Sequence, residues 1–395
     1  MPKYSKLILV TLVLLSVGLF QLKGLNSLKT AYDLAALALV FLHLLVFGLY
    51  GGVKSDTKAS FSFLVIILLV SVLISSLSAS FFHNQQIYLT LWEQRRLYLI
   101  LLYFVLFYLR PDPEWLIRLI LFMAITTSIL HLAQYFLYPL RITEAKIFEQ
   151  RGSIRINMPG TIFRHLGFFL AIDLFFQTRK KYFAAAVLLM FIVAILSAYR
   201  STVAFYLLIS LGYILLSRKV QNKFVIVGFA LVMVVIGFFA FNSIIAEMQV
   251  SAQKEVVEGT ENLRFRAAEF FISEKNANSL TYFIGNGQPH GDSAYGQMFQ
   301  YFSLRFGFYL SDIGFAGYYY RFGLFAVLSV LIIFLRLILG KYDTKYDFIR
   351  LFMLYQLLVS FNTVLPFDSL DGTFVIVVLM YIADFSHSSL KKELG

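Results

Sequence analysis

The sequence contains no cysteine and carries little charge. Without cysteine the chain can form neither a disulfide framework nor a thiolate metal site. Only 14% of the residues are charged, whereas 59% are hydrophobic, and the mean hydropathy is +0.76. These values exclude a soluble globular domain. The composition therefore indicates an integral membrane protein.

Apolar runs long enough to cross a bilayer recur along the whole chain. A helix of roughly 17 to 25 residues crosses about 30 Å of hydrocarbon. No cleavage site precedes Lys23, so we expect the first run to be retained rather than removed as a signal peptide. An even number of spans places both termini on the same side. Twelve spans are predicted, at 7–22, 31–50, 61–77, 97–109, 115–140, 161–176, 182–197, 202–216, 224–241, 313–335, 348–364 and 374–385.

One long polar stretch interrupts this pattern, between the ninth and tenth predicted spans. Residues 244–308 contain most of the chain's polar loop sequence. We expect an all-α, polytopic membrane protein in which this loop carries short amphipathic helices. The predicted organisation is membrane helices in 1–243, an outward loop in 244–310, and membrane helices with a short cytoplasmic tail in 311–395.

The formal net charge of +12 divides unequally between the two sides of the membrane. Cytoplasmic loops collect Lys and Arg, and the tight basic turns such as Arg179-Lys180-Lys181 fall inside if the N-terminus is inside. Lysine then lies mostly inside, whereas arginine lies mostly outside. Because a guanidinium binds phosphate or carboxylate through two parallel hydrogen bonds, the outward arginines indicate an anionic ligand. For any single arginine, contact with lipid headgroups or a surface ion pair is an equal alternative.

Three outward positions are stronger candidates for anion binding than the rest, and the third of them is the pair Arg264 and Arg266 in the polar loop. Arg200 lies in so short a connection between two spans that its guanidinium must sit at the membrane surface or slightly within it. Arg164 and His165 begin the sixth predicted span, where a helix N-terminus adds positive potential. These positions are predicted to bind an anion.

The polar loop supplies further candidates. Arg264 and Arg266 stand in a pattern typical of an amphipathic helix lying on the membrane, and only one of them is expected to point inward. Gly285-Asn286-Gly287 predicts a turn, either an ordinary one or a nest of N–H groups for an anion. His290 is the only histidine of the loop and is either a base or simply solvated.

Asp312 follows Ser311 at the start of the tenth predicted span. An aspartate at this point either caps the helix by accepting from free backbone N–H groups or acts as a base. The two roles are compatible. Gly314, Gly317 and Gly323 follow at spacings that allow close helix packing.

These late motifs together resemble the bacterial O-antigen polymerase and O-antigen ligase superfamily. Tyr199-Arg200-Ser201-Thr202 is similar to the family's Ser-Arg-Thr turn, and Arg266 matches the arginine near the start of its long outward loop. Gly285 and Gly287 match the glycines that follow. Where the ligases have His-Asn, this chain has Ser311-Asp312, which favours the polymerase branch and leaves the base to Asp312 first and His290 second.

The resemblance implies a metal-independent glycosyltransferase without cofactors, in the bacterial cytoplasmic membrane, with both termini inside and the site on the outer face. The implied donor and acceptor are polyprenyl-diphosphate-linked oligosaccharides. Membrane lipids, a chain-length regulator and a flippase are implied as further partners, and nucleic acid is not. The residues predicted to bind the diphosphate are Arg200, Arg266, Arg264 and Arg164, and their charges would stabilise it as it departs. A carboxylate or imidazole takes the proton of the acceptor hydroxyl, and in-line displacement inverts the anomeric carbon.

Two other functions fit parts of the sequence. A ligase-type glycan transferase shares the motifs around Arg200 and Arg266. A lipid-linked oligosaccharide flippase shares the predicted twelve-span layout. Transporters, however, are typically built from repeats and broken helices with charges buried at mid-span. The chain has no obvious repeat and few mid-span charges, of which Asp173 is the clearest.

Overall fold

The computed structural model is mostly helical, with one small two-stranded sheet. It describes residues 3–24, 28–49, 59–150, 153–197, 199–221, 262–361 and 363–394, together with positions 223, 228, 250, 253 and 257. The ninth predicted span and most of the first part of the polar loop lie outside the described residues.

Fifteen helices of the described residues are labelled in chain order. The first nine are α1 (Lys3–Ser16), α2 (Lys29–Leu49), α3 (Ser62–His83), α4 (Ile87–Gln94), α5 (Leu102–Leu109), α6 (Pro113–Phe136), α7 (Thr161–Thr178), α8 (Lys181–Leu196) and α9 (Arg200–Leu216). The others are α10 (Leu263–Glu269), α11 (Thr281–Ile284), α12 (Ala294–Phe306), α13 (Gly314–Leu339), α14 (Asp347–Val359) and α15 (Leu370–Leu394). Strands β1 (Lys146–Gln150) and β2 (Ser153–Asn157) form an antiparallel hairpin that the sequence analysis did not predict.

Shorter helical turns connect these elements. A π-helical turn, Phe270–Glu274, continues α10 directly. The described 3-10 turns are Gly18–Gln21, Arg95–Leu101, Leu310–Ile313, Thr344–Tyr346 and Pro366–Asp368.

In the described part of the chain, four helical segments are long and apolar enough to cross a membrane. They are Ser62–His83, Pro113–Phe136, Leu310–Leu339 and Leu370–His387. Shorter apolar helices lie at Tyr4–Ser16, Thr30–Val46, Lys181–Leu196 and Arg200–Leu216. These helices make the chain a membrane protein, while the total of twelve spans stays a prediction.

The surface of α3 has the pattern of a membrane helix. Phe63, Ile66, Val70, Leu73 and Leu77 recur at helical spacing and are all exposed. Its buried face instead contains small serines, which allow close helix packing. Ser71, Ser75 and Ser76 donate to backbone carbonyls of the preceding turn, and Ser78 donates to the Gly285 carbonyl at 2.6 Å. An apolar outside and a small, polar inside suit a helix surrounded by lipid.

The chain divides into two compact units that are interleaved along the sequence. The first unit comprises Met1–Tyr32, Pro111–Val257 and Lys341–Tyr355, and the second comprises Asp33–Arg110, Glu258–Gly340 and Gln356–Gly395. The predicted division at 243 and 310 follows membrane topology rather than packing, and it stays a prediction.

In the first unit, α6, α7 and α8 pack against one another and α9 packs on α8. The start of α6 is fixed by Asp112, which accepts from the Glu114 N–H, and by Pro113 in the first turn. The hairpin covers the far end of α6 through a small apolar cluster containing Ala145, Ile156 and Met158.

In the second unit, α3 packs along α13, and α15 packs on α5 and on the 3-10 turn Arg95–Leu101. The carboxylate of Asp384 in α15 is buried and accepts from the hydroxyl of Tyr103, 2.5 Å away. The polar loop has its own apolar core, in which Phe271, Phe299 and Phe302 pack against Tyr320 of α13.

Candidate functional site

An arginine cluster lies at one end of the first unit's helices. The end of α6, the start of α7, the end of α8 and the start of α9 meet there, because these helices alternate in direction. The hairpin connects α6 to α7 at the same end. Two predicted residues therefore lie at the same end of this unit, Arg164 at the start of α7 and Arg200 at the start of α9.

Arg164 is the most unusual side chain of the cluster because its guanidinium is buried, with 1% of the residue exposed. Its Nη1 lies 3.3 Å from Nδ1 of His131 in α6. A guanidinium only donates, so Nδ1 accepts and the proton of the neutral imidazole is on Nε2, which lies 3.3 Å from the Ser197 hydroxyl. That hydroxyl donates in turn to the Val193 carbonyl.

The charge of Arg164 has no counter-ion among the described residues. No described carboxylate lies within 4.0 Å of it, and its Nε is buried without a hydrogen-bond partner. Burying an uncompensated ion costs several kcal/mol, so buried charges are normally paired. Among the described residues the charge of Arg164 is therefore uncompensated, and an anion is the group that would complete these interactions.

Two further arginines surround this position. Arg155 of β2 stacks its guanidinium on the ring of Tyr199, with 3.9 Å from Cζ to the ring centroid. Tyr199 precedes Arg200, the first residue of α9, and its phenol is close enough to Arg164 to interact with the charge. Arg155, Tyr199 and Arg200 are half-buried. The cluster thus has partly exposed cations around a fully buried one.

Aromatic and hydroxyl groups form the wall beside Arg164. Nδ1 of His165 lies 2.6 Å from the Tyr206 hydroxyl, and Tyr206 stacks on Phe168 with ring centroids 3.8 Å apart. The hydroxyl of Tyr355 lies 3.1 Å from Oγ1 of Thr202. These contacts fix the side chains that face the buried guanidinium.

The opposite end of the same helices contains a complete ion-pair network. Asp173 accepts from Lys219 Nζ and from the Tyr213 hydroxyl, both at 2.7 Å, and from the Phe348 N–H at 3.2 Å. Lys219 also pairs with Asp347 at 2.9 Å. Asp173, the clearest mid-span charge of the sequence, thus ties α7 to α9 and α14.

In the second unit, helix α13 is broken at Gly323, where φ is 78° and ψ is −178°. The break frees the carbonyls of Tyr320 and Arg321 from their helical donors. The N–H groups of Asn286 and Gly287 donate to these carbonyls at 2.9 and 2.8 Å. These amides are therefore occupied, which contradicts the anion nest considered for this run and leaves the ordinary turn.

Close packing explains why glycines stand on both sides of this contact. A Cβ on Gly323 would lie 2.2 Å from the Phe283 carbonyl oxygen, and one on Gly285 would lie 2.3 Å from the Arg321 oxygen. Both glycines have positive φ with extended ψ, a conformation restricted essentially to glycine. The turn is thus a structural element packed into the break of a membrane helix.

A buried ion pair lies beside the break. Arg321 donates from two nitrogens to both carboxylate oxygens of Asp368, at 2.9 and 2.8 Å, and also to the Gln288 side chain at 2.9 Å. The sequence analysis named neither Arg321 nor Asp368 as a candidate site residue.

The site residues predicted in the polar loop differ from Arg164 in their exposure. Arg264 and Arg266 are exposed on α10, and Asp312 is exposed in the 3-10 turn that α10 contacts. The Asp312 carboxylate accepts from the Ser311 hydroxyl at 3.1 Å and caps no helix N–H in the described structure. His290 is mostly buried, and its Nδ1 accepts from the Asp292 N–H at 3.2 Å.

A cavity of about 500 Å³ lies beside His290. Its lining includes Pro289 and Gly291 on either side of that histidine, and Phe299, Gln300 and Tyr309. Nearby, burial raises the pKa of the Tyr295 phenol well above its usual value, with a further contribution from Tyr320. Tyr295 therefore stays neutral and is not a candidate base.

The units divide the predicted site residues between them. Arg164 and Arg200 belong to the first unit, and Arg264, Arg266, Gly285, Gly287, His290 and Asp312 belong to the second. Sequence reasoning missed His131, a histidine within the predicted span 115–140, and counted Arg155 among the outward arginines without singling it out. The described residues contain no group of three or more metal-ligating side chains.

Comparison of the chain with known protein families, curated proteins and solved structures gave no match.

Proposed function

We propose that the protein is a membrane glycosyltransferase that polymerises polysaccharide repeat units, and that the arginine cluster of the first unit binds the diphosphate of the lipid-linked donor. The observation that carries the proposal is the buried guanidinium of Arg164, which has no counter-ion among the described residues and an unpartnered Nε. A diphosphate supplies both the missing negative charge and the missing acceptor.

In the proposed reaction, negative charge grows on the diphosphate, which is the group that the arginines bind. The hydroxyl oxygen of the acceptor sugar bonds to the anomeric carbon as the bond to the diphosphate breaks, and the electron pair leaves with the diphosphate. Arg164 and Arg200 stabilise that growing negative charge in a site largely removed from water. A base takes the hydroxyl proton, and Asp312, His290 and the loop residue Arg266 stay the predicted catalytic groups.

The resemblance in sequence supports the finer assignment. Ser311-Asp312 in place of the ligases' His-Asn favours a polymerase over a ligase. The proposed setting is a bacterial cytoplasmic membrane with about twelve spans, both termini in the cytoplasm and the site on the outer face. The product would be an O-antigen, exopolysaccharide or capsule chain, and a chain-length regulator and a flippase are the proposed partners.

A transporter of lipid-linked oligosaccharides is the second candidate, and one observation favours it. Helix α13 is broken at Gly323 beside the buried pair of Arg321 and Asp368, and discontinuous helices with buried charges are typical of transporters. Here, however, the chain's own backbone occupies the break, since Asn286 and Gly287 donate to its free carbonyls.

Reconstituted protein distinguishes these functions. We expect wild type in vesicles to convert a lipid-linked repeat unit into a ladder of longer products. Arg164→Lys and Arg164→Met should lose the ladder, whereas Arg118→Gln should keep it, because the Arg118 side chain is 73% exposed. A full ladder from both Arg164 variants would reject the site. Movement of the unit across the bilayer without lengthening would establish the transporter instead.

Folding defects are separated from binding defects by a second measurement. Thermal unfolding in detergent is recorded with and without inorganic pyrophosphate. Wild type and Arg118→Gln should be stabilised by pyrophosphate, and Arg164→Lys should fold but gain at most a small part of that shift. Equal stabilisation of all three proteins would show that pyrophosphate does not bind at Arg164.

A further inference from the structure

The tripeptide Leu-Arg-Phe occurs twice in the polar loop, and both copies are exposed. Leu263-Arg264-Phe265 begins α10, and Leu304-Arg305-Phe306 ends α12. Leu304 is 87% exposed and Phe265 is 65% exposed. Exposed apolar side chains of this size normally mark an interaction surface when they are grouped.

The two copies lie together at the turn that follows α12. A Cβ on Gly307, the residue after Phe306, would lie 3.0 Å from Cδ2 of Leu263. Leu304 also lines a common cavity with Tyr309, which is exposed as well. We call these residues, Leu263–Phe265, Leu304–Phe306 and Tyr309, the LRF surface.

The cations of the LRF surface have no acidic partner in the described structure. Arg264 is exposed and forms no ion pair with a described residue. Arg305 contacts only aromatic groups: it donates to the Tyr301 hydroxyl and lies over the rings of Tyr301 and Phe306. An apolar surface with arginines of this kind fits the boundary between acyl chains and phosphate headgroups.

Chain connectivity places the LRF surface close to the bilayer. The apolar segment Leu310–Leu339 is long enough to span the membrane, and it begins four residues after Phe306. Four extended residues reach at most about 14 Å. Phe306 therefore cannot lie far from the point where the chain enters the hydrocarbon.

We propose that the LRF surface rests on the lipid bilayer, with its leucines and phenylalanines at the acyl boundary and Arg264 and Arg305 on lipid phosphates. The LRF surface would thus anchor the start of α10 and the end of α12 to the membrane that α13 enters. It also separates the roles of two neighbouring arginines, because Arg264 contacts lipid whereas Arg266 stays available to substrate.

The absence of cysteine makes a direct test possible. Single variants Phe265→Cys and Leu304→Cys of the full chain are labelled with an environment-sensitive fluorophore and reconstituted in phosphatidylcholine–phosphatidylglycerol vesicles. Asp292→Cys is the matched control in the same loop, because the Asp292 side chain is 88% exposed. Lipids with a nitroxide near the headgroup serve as the membrane quencher, and iodide serves as the aqueous one.

We expect nitroxide lipids to quench the labels at Phe265→Cys and Leu304→Cys at least about twofold more than the label at Asp292→Cys, and iodide to show the reverse order. The added change Arg264→Glu with Arg305→Glu should remove most of that difference. Iodide quenching equal to that of the control would overturn the proposal. So would a label shielded from both quenchers, which indicates a second copy or another protein on the surface.

Discussion

Nη1 of Arg164 lies 3.3 Å from Nδ1 of His131, so a buried guanidinium donates to a neutral imidazole and, in the part of the chain that the structure describes, to no carboxylate. The imidazole orients the cation without neutralising it. The positive charge is thereby kept for a ligand. A carboxylate in the same place would stabilise the folded protein and occupy the site at once.

This relationship predicts that stability and binding change in opposite directions at position 131. His131→Asp places a carboxylate beside Arg164 and should raise the free energy of unfolding by about 1.5–3 kcal/mol, the range for hydrogen bonds to charged groups. It should also abolish stabilisation by pyrophosphate. Thermal unfolding with and without pyrophosphate measures both effects. His131→Asn, which is neutral and similar in size, is the control, and it should retain part of the pyrophosphate effect. A gain of binding by His131→Asp would contradict the prediction.

Alanine at either glycine of the helix break should destabilise the protein. Gly285→Ala and Gly323→Ala each place a Cβ within 2.3 Å of a carbonyl oxygen at positive φ. A loss of at least about 2 kcal/mol is expected, since neither backbone can move without breaking the other's hydrogen bonds. Gly212→Ala in α9 is the control, because a Cβ there has no neighbour within 4 Å. Chemical or thermal unfolding in detergent measures the difference, and equal stability of all three variants would reject this packing.

Removing one partner of the buried pair beside the break should cost more than removing both. Asp368→Asn leaves the Arg321 guanidinium buried without its counter-ion, and a loss of about 3–5 kcal/mol is expected. The double variant Arg321→Met with Asp368→Leu should recover most of that loss. Glu114→Gln breaks the exposed pair with Arg118 and should change stability by less than about 1 kcal/mol. A double variant less stable than Asp368→Asn would show that the pair is itself stabilising.

The base of the proposed reaction can be tested without disturbing the fold. Asp312 is exposed, so Asp312→Asn should change the free energy of unfolding by no more than about 0.5 kcal/mol. It should lower the rate of polymerisation by about 10²–10⁴-fold if Asp312 takes the acceptor proton. Ladder formation is followed in parallel for His290→Asn and for Asp292→Asn, an exposed acidic control. Normal polymerisation by Asp312→Asn with loss in His290→Asn would transfer the role to His290.

Part of the site was predictable from the sequence, because the positions of two arginines relative to the apolar runs indicate where they lie in the fold. Arg200 and Arg164 stand at the ends of apolar runs, and helix ends that alternate in direction meet at the same side. The burial of Arg164 was not predictable, because it depends on His131, which lies 33 residues earlier, and on a hairpin that hydrophobic periodicity did not reveal.

The turn at Gly285 and Gly287 was also predicted only in part. Gly285-Asn286-Gly287 was expected to form a turn, and it does so with positive φ at both glycines. Its partners were not visible in sequence, since the carbonyls that it contacts become free only because α13 breaks 38 residues later. The signal of that break, Gly323, was interpreted as a position for close helix packing. Close approach and a backbone break look alike in a single sequence, because both require glycine.

The backbone contact at the break of α13 also has a consequence for how the protein is made. The residues that complete the helix, Asn286 and Gly287, are synthesised before the helix itself, and α3, on which the turn also packs, is synthesised earlier still. The polar turn is therefore synthesised before the membrane segment that supplies its hydrogen-bond acceptors. Until that segment arrives and bends at Gly323, neither the turn nor the helix has all its hydrogen bonds. This part of the fold can therefore be completed only after α13 has been synthesised.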